Sequence, residues 1–369
     1  MKVVIAAAGT GGHINPGIAI ANKILEENKN SEVIFIGTNR GLEKDLVPRA
    51  GYKLKTIDSY GISRSLSLSN IKKLVKTIHS IKEAKNILKE FKPDLVIGTG
   101  GYICISVCLA AKKLKVPYII HESNVLPGVA TKLLSKNAEK ILVGFKEAKD
   151  KLPKAKKIVV TGTPTKVEKL ELSNKEIEDK KKELGFDINV PLILVFGGSQ
   201  GAKSINTSML EIIKKKYNKN YQIMWAAGPE QYKIFKEKLK EDNLDIENLE
   251  KAKIVPYIYD MGNVMNIADL IVCRSGAMTV TEIEKVGKPA IFIPFPFAAE
   301  NHQEYNARAL EKAGAANVIL DKELTANKLN DSINDLIKDK IKLKEMGKKA
   351  REIFVDNVEN RIYEEIKKY

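Results

Sequence analysis

The sequence predicts an α/β protein made of two doubly wound, parallel-sheet domains. Three observations carry this. Apolar runs of strand length alternate with helical stretches, the pattern of βαβ units. Several of those runs end in glycine loops that open helices. The pattern also starts twice, and 369 residues is about two domains at roughly 150 each.

The first pass opens with a strand from Val3 to Ala8, the loop Gly9-Thr10-Gly11-Gly12-His13, and a helix carrying Ile18, Ala21, Ile24 and Leu25 at helical spacing. Glu32 to Ile36 reads as a second strand. Leu95 to Ile97 is a third and runs into Gly98-Thr99-Gly100-Gly101-Tyr102. Tyr118 to Ile120 ends at His121-Glu122-Ser123-Asn124, and Lys140 to Val143 and Lys157 to Val160 complete the set. The second pass begins with the strand Leu192 to Phe196, the loop Gly197-Gly198-Ser199-Gln200-Gly201 and a helix from Ala202 to Ile213. Gln222 to Trp225, Leu270 to Cys273 and Ala290 to Ile293 follow as strands. Gly162-Thr163-Pro164 punctuates the chain. The expected domains are therefore 1–163 and 164–342, with a last helix, about 343–369, that is a candidate to cross back onto the first. Two such domains are expected to face a cleft, with ligands at the carboxyl ends of the strands.

Composition narrows the function. An apolar share of 44% excludes wholesale disorder. No apolar run approaches the roughly 18 residues of a membrane span. Gly9, Gly11 and Gly12 interrupt the apolar start too early for a secretory signal. Three cysteines, Cys104, Cys108 and Cys273, sit among apolar neighbours and read as buried thiols of a reducing compartment. Residues 1–163 hold 28 Lys and Arg against 13 Asp and Glu, whereas the remainder holds 34 against 33. The net charge of +16 is thus loaded on one half, which suits an anionic surface or substrate.

Glycine loops feeding helices are anion sites, because bare N–H groups and the positive helix end point the same way. A dinucleotide oxidoreductase needs an acid at the end of the second strand, yet that strand ends Phe35-Ile36-Gly37-Thr38. A P-loop needs Gly-Lys-Ser/Thr, yet Gly201 is followed by Ala202. Sugar transfer from a nucleotide-sugar is the next reading to test. No Asp-x-Asp pair is present and the four histidines, His13, His79, His121 and His302, are dispersed, so no metal and no cofactor are expected. Helix ends would then stabilise the leaving diphosphate. Arg274-Ser275-Gly276-Ala277-Met278-Thr279 leaves a strand and opens a helix suited to that task. Glu282 lies one turn in, placed either to chelate ribose hydroxyls or to answer the helix dipole. Asn301-His302-Gln303, after Pro294-Phe295-Pro296-Phe297, suits neutral sugar hydroxyls.

These motifs, in this order, resemble the MurG family of bacterial cell-wall glycosyltransferases. The resemblance spans essentially the whole chain and includes Gly37-Thr38-Asn39-Arg40-Gly41-Leu42-Glu43 and the Asn301 to Ala307 run. It implies a GT-B fold of two Rossmann-like domains and metal-independent, inverting transfer of N-acetylglucosamine from UDP-GlcNAc to the 4-hydroxyl of the muramyl unit of lipid I, giving lipid II. Ser199, Ala277, Met278 and Thr279 would hold the diphosphate, with Lys166 as a weak phosphate contact. Ile258 would offer its backbone to uracil beside Tyr257, Glu282 would take the ribose, and His302 and Gln303 the sugar. Thr10, Gly11, Gly12 and Asn124 would complete the sugar site. His13 is the implied general base, since an imidazole titrates near neutral pH, the alternative being a loop histidine that positions the phosphates by hydrogen bond. Glu122 is a rival base, and His121 reads as structural.

The chain departs from the family at Ile103-Cys104-Ile105-Ser106, where small residues with Gly-Pro are usual, at Ser123 for Gln, and at Thr163-Pro164-Thr165-Lys166 for Asn-Pro-Val-Arg. Lys166 keeps the charge and loses arginine's fork. Lipid I implies a peripheral enzyme on the cytoplasmic face of the cell membrane. Leu66 and Leu68, in the polar stretch Gly61 to Asn70, would meet an anionic membrane surface beside Lys72, Lys73 and Lys76, opposite Ile71, Leu74, Val75 and Ile78. No nucleic-acid signature is present. The rival readings are a transferase acting on diacylglycerol, a UDP-GlcNAc epimerase of the same architecture, and a non-catalytic nucleotide-sugar binder.

Overall fold

The computed structural model describes residues 1–59, 68–198 and 200–369, with the backbone alone over 68–77. Leu66 and Ser199, and the side chains of Leu68, Lys72, Lys73 and Lys76, therefore lie outside the described residues. The chain divides into two compact units, Met1–Thr165 with Val355–Tyr369, and Lys166–Phe354.

The first unit carries seven parallel strands: β1 (Lys2–Ala7), β2 (Glu32–Gly37), β3 (Lys53–Thr56), β4 (Leu95–Gly100), β5 (Tyr118–Glu122), β6 (Lys140–Val143) and β7 (Ile158–Val160). Their order is β3-β2-β1-β4-β5-β6-β7. The central strands are apolar throughout because helices cover both faces of a parallel sheet. Val4, Ala6, Val96 and Ile120 pack with Cys104, Val107 and Cys108 of the helix Ile103–Lys113. All three cysteines are free and buried, and burial pushes the Cys104 thiol up to about 12.

The second unit repeats the design with β8 (Leu192–Phe196), β9 (Gln222–Ala226), β10 (Ala252–Val255), β11 (Leu270–Cys273), β12 (Ala290–Phe292) and β13 (Ala316–Val318). The order is β10-β9-β8-β11-β12-β13, again all parallel. Val195, Trp225, Val272 and Ile291 share its core with Leu329, Ile333 and Leu336 of the helix Ala326–Lys338. In both sheets the order reverses about the first strand, so the switch points lie between β1 and β4 and between β8 and β11.

The single last helix expected from Leu343 is two helices, Lys340–Ile353 in the second unit and Val358–Ile366 in the first. Phe354 turns to extended backbone (ψ 134°) and Asn357 to a left-handed one (φ 56°), breaking the run. Val358, Ile362 and Ile366 are fully buried, each contributing about 1.5–3 kcal/mol. The Lys140 ammonium pairs with the Glu365 carboxylate beside them. The unit boundary falls between Thr165 and Lys166, two residues beyond the one read from the Gly and Pro punctuation.

Candidate active site

In the first unit β1 hands the chain through Gly9 and Thr10 into the helix Gly11–Glu27. Thr10 is exposed at the N-cap position, its side chain makes no capping bond, and the first turn holds no acid. The first-turn amides of Gly11 and Gly12 thus meet their surroundings without a carboxylate neighbour in the turn. His13 Nδ1 lies 2.9 Å from the Ala8 carbonyl oxygen. A carbonyl only accepts, so Nδ1 carries the hydrogen, and in the neutral tautomer Nε2 holds the lone pair. The Thr99 hydroxyl donates to the His13 carbonyl at 2.8 Å, and Gly100 lies against the ring. Gly100 has φ +138°, and a Cβ there would overlap the imidazole.

Two buried carboxylates brace loops of the first unit, one of them the Gly9 loop that leads to His13. Glu43, fully buried, accepts from the Gly9 amide at 2.9 Å, the Thr38 amide at 3.0 Å and the Thr38 hydroxyl at 2.5 Å. Burial alone would raise its pKa, but the Thr38 hydroxyl and the Gly9 amide outweigh it and hold the carboxyl below its ordinary range. Gly37 is required beside it, since a Cβ there would come within 2.8 Å of the Glu43 side chain. Residue type alone does not assign Glu43 this task. The available signal was its place at the end of Gly37-Thr38-Asn39-Arg40-Gly41-Leu42-Glu43.

Glu122 is buried at the end of β5 and both its oxygens are taken. Oε1 accepts from the Asn124 amide at 3.0 Å and the Asn124 side-chain Nδ2 at 3.1 Å. Oε2 accepts from the Gly128 amide at 2.9 Å and the Thr131 hydroxyl at 2.7 Å. The expectation of a rival base here meets a carboxylate engaged with four donors, which fixes the loop bearing Asn124. His121 is buried with Nε2 3.0 Å from the Gly162 carbonyl, and burial lowers its pKa against that bond and the Glu122 charge.

In the second unit the loops after β8 and β11 flank the switch point. Arg274 follows β11 and donates through Nη1 to the Ile293 and Pro294 carbonyls, each at 3.0 Å, and to Asp321, and through Nη2 to the Ser204 hydroxyl at 2.9 Å. This clamp joins the ends of β11 and β12 to the helix Lys203–Lys214. The buried Ser275 hydroxyl donates to the Gln303 carbonyl at 2.8 Å, and the Asn306 side chain to the Ser275 carbonyl at 3.1 Å. Gly276 then caps the helix Ala277–Val286, whose first turn has no acid. Ala277, Met278 and Thr279 supply its leading amides. Glu282 is half-buried and sits beyond the first turn, so the reading as a first-turn acid answering the dipole does not apply.

Past β10, Ile258 is buried between exposed Tyr257 and Tyr259, whose rings meet edge-on at 5.1 Å. Past β12, Glu300 (φ 51°) and Asn301 (φ 58°) are consecutive left-handed residues, a strained approach to the helix His302–Lys312. His302 Nδ1 lies 2.8 Å from the Ala299 carbonyl, which again leaves Nε2 as an acceptor. Gln303 Oε1 accepts from the Phe295 amide at 3.0 Å, so its –NH2 end is the one turned from that bond. An acceptor beside a donor is what a sugar's hydroxyls call for. Lys166 is exposed at the start of the unit, and Ser199 is outside the described residues. Among the described residues no group of three His, Cys, Asp or Glu could hold a metal ion.

Residues 3–143 match the glycosyltransferase family 28 N-terminal domain and residues 192–362 the glycosyltransferase family 28 C-terminal domain. With its two switch-point sheets the chain is a glycosyltransferase of the GT-B fold. It is 44% identical over 368 residues to a UDP-N-acetylglucosamine--N-acetylmuramyl-(pentapeptide) pyrophosphoryl-undecaprenol N-acetylglucosamine transferase from Acetivibrio thermocellus, covering 100% of this chain and 98% of that one. The crystal structure of Acinetobacter baumannii MurG is similar at TM-score 0.78 and 30% identity, over 100% of this chain and 99% of that one. The chain belongs to the MurG family. A UDP-GlcNAc 2-epimerase from Neisseria meningitidis, bound to UDP-GlcNAc, shares the fold at TM-score 0.64 and 18% identity, over 100% of both chains.

Proposed function

We propose that the chain transfers N-acetylglucosamine from UDP-GlcNAc to the 4-hydroxyl of the N-acetylmuramyl unit of lipid I, forming lipid II with inversion. The observation that carries the mechanism is the His13 ring, held through Nδ1 by the Ala8 carbonyl at the head of a helix, so that Nε2 is the nitrogen available to the acceptor. Nε2 takes the proton of the acceptor hydroxyl as its oxygen bonds to the anomeric carbon. The bond from that carbon to the diphosphate oxygen breaks on the opposite side. UDP leaves with its charge met by the amides of Ala277, Met278 and Thr279, aided by Ser199 and Lys166.

The second unit holds the donor. Ile258 meets the uracil edge, Glu282 the ribose, and His302 with Gln303 the sugar hydroxyls. The first unit adds Thr10, Gly11, Gly12 and Asn124, the last aimed by Glu122. The sequence offers no Asp-x-Asp pair, so helix dipoles take the part a metal plays elsewhere.

His13→Ala is expected to cut kcat by about 10²–10⁴-fold with little change in UDP-GlcNAc affinity. Unchanged kcat would remove His13 from the chemistry. The epimerase reading rests on a fold shared at 18% identity; turnover of UDP-GlcNAc without any acceptor would favour it.

The basic first half supports a peripheral site on the anionic cytoplasmic face of the membrane. Ile78, 62% exposed on the helix Leu68–Phe91, gives that helix an apolar contact. High salt should release the protein from phosphatidylglycerol vesicles. Retention at high salt would sink the electrostatic part.

A further inference from the structure

The amino-terminal ends of β8, β11 and β12 bound a pocket of about 440 Å³ at the opposite end of the second sheet from the donor loops. Lys181, Lys288, Lys340 and Lys344 line it against one acid, Asp269. That acid is already committed: its Oδ2 accepts from Lys181 Nζ at 2.8 Å and from the Leu192 amide at 2.7 Å. Lys288 has neither an ion pair nor a side-chain hydrogen bond among the described residues. Burial, only partly offset by Asp269 and reinforced by Lys181, lowers its pKa to about 8. Lys340 and Lys344 are exposed, one helical turn apart on the same face.

We propose that this pocket is a second ligand site, which takes a small phosphoryl anion between Lys288 at its base and Lys340 and Lys344 at its rim. A largely desolvated ammonium that no carboxylate pairs with directly is costly, and Lys181 beside it adds repulsion that Asp269 only partly offsets. The lining carries four cations and one acid, an imbalance that a multiply charged anion offsets better than a single carboxylate. Its volume lies within the range of small-molecule pockets, about 300–1,000 Å³. The anion's source is either a free phosphate compound or a phospholipid headgroup, and both present the same chemistry. Nothing in the transfer mechanism uses these residues, so the proposal stands apart from the donor site.

The test is titration calorimetry at pH 8 with UDP saturating the donor site. The probes are inorganic pyrophosphate and, separately, phosphatidylglycerol vesicles. An anion beside Lys288 restores its charged form, so pyrophosphate binding should take up protons, read by repeating the titration in two buffers of different ionisation enthalpy. Lys288→Met should weaken binding about tenfold or more and abolish the proton uptake. Lys340→Gln with Lys344→Gln, at exposed positions that do not threaten folding, should weaken it severalfold while leaving UDP release unchanged. Vesicle binding that is lost in the rim variant, with no pyrophosphate binding, assigns the anion to a lipid headgroup. Absence of binding by both probes, or binding that neither set of variants alters, overturns the proposal.

Discussion

Replacing Glu122 by glutamine separates a brace from a base. In the parent each carboxylate oxygen receives two donors: the Asn124 amide and Nδ2 on one, the Gly128 amide and Thr131 hydroxyl on the other. Glutamine offers one carbonyl. Whichever way its amide turns, two of the four donors face an –NH2 and lose their acceptor. A buried donor left without a partner costs about 1–3 kcal/mol and a part-buried one less, so Glu122→Gln should destabilise the first unit by about 1–4 kcal/mol. For a unit of this size each kcal/mol moves Tm by about 2–4 °C, giving a fall on the order of 10 °C. The assay is thermal unfolding beside a pH–rate profile taken well below the new Tm. The brace account predicts the lowered Tm, reduced turnover through a misplaced Asn124, and a pH profile of unchanged shape. A variant that melts with the parent, yet loses turnover and one limb of the profile, would refute the reasoning and make Glu122 the base.

Two other substitutions probe the surroundings of His13. Glu43→Gln should loosen the Gly9 loop and flatten the acid limb of the stability curve. The Glu43 carboxyl is held below its ordinary range in the folded state. The stability it contributes is therefore present above the unfolded carboxylate's pKa and lost as pH falls through its lowered folded value. Chemical denaturation from pH 6 down to pH 3 reads this, and an acid limb as steep as the parent's would count against the brace. Gly100→Ala places a methyl where the imidazole stands, on backbone at φ +138°. A displacement of about 1 Å at a catalytic group can cost about 10²-fold, so kcat should fall toward that of His13→Ala while UDP affinity holds. Parent-like kcat would show that the ring's position is not critical.

What the sequence made legible follows from burial. β1, β4, β8 and β11 are covered on both faces and read as unbroken apolar runs that lead into glycine loops. β3, β10 and β13 carry no such run. They are edge strands, short and in part polar, with Lys53 and Lys55 in one and Lys253 in another. The last helix was read as continuous because Val358, Ile362 and Ile366 keep helical spacing after the break. Only their burial in the first unit, against a predecessor helix in the second, reveals the turn at Phe354 to Asn357.

At the site, residue types and order were readable, but the hydrogen-bond partners were not. Glu43 holds an amide 34 positions earlier, and Arg274 reaches Asp321, 47 positions later. No local pattern encodes such pairings. Chemistry read from loops named His13, while the Ala8 carbonyl that sets its tautomer is a matter of fold.

The most direct measurement is UDP release by the purified protein from UDP-GlcNAc, with and without a soluble lipid I analogue, in EDTA. The account predicts release that requires the analogue, survives chelation and yields the inverted, β-linked disaccharide. Release that proceeds only with diacylglycerol, or UDP-GlcNAc turnover with no acceptor present, would contradict it.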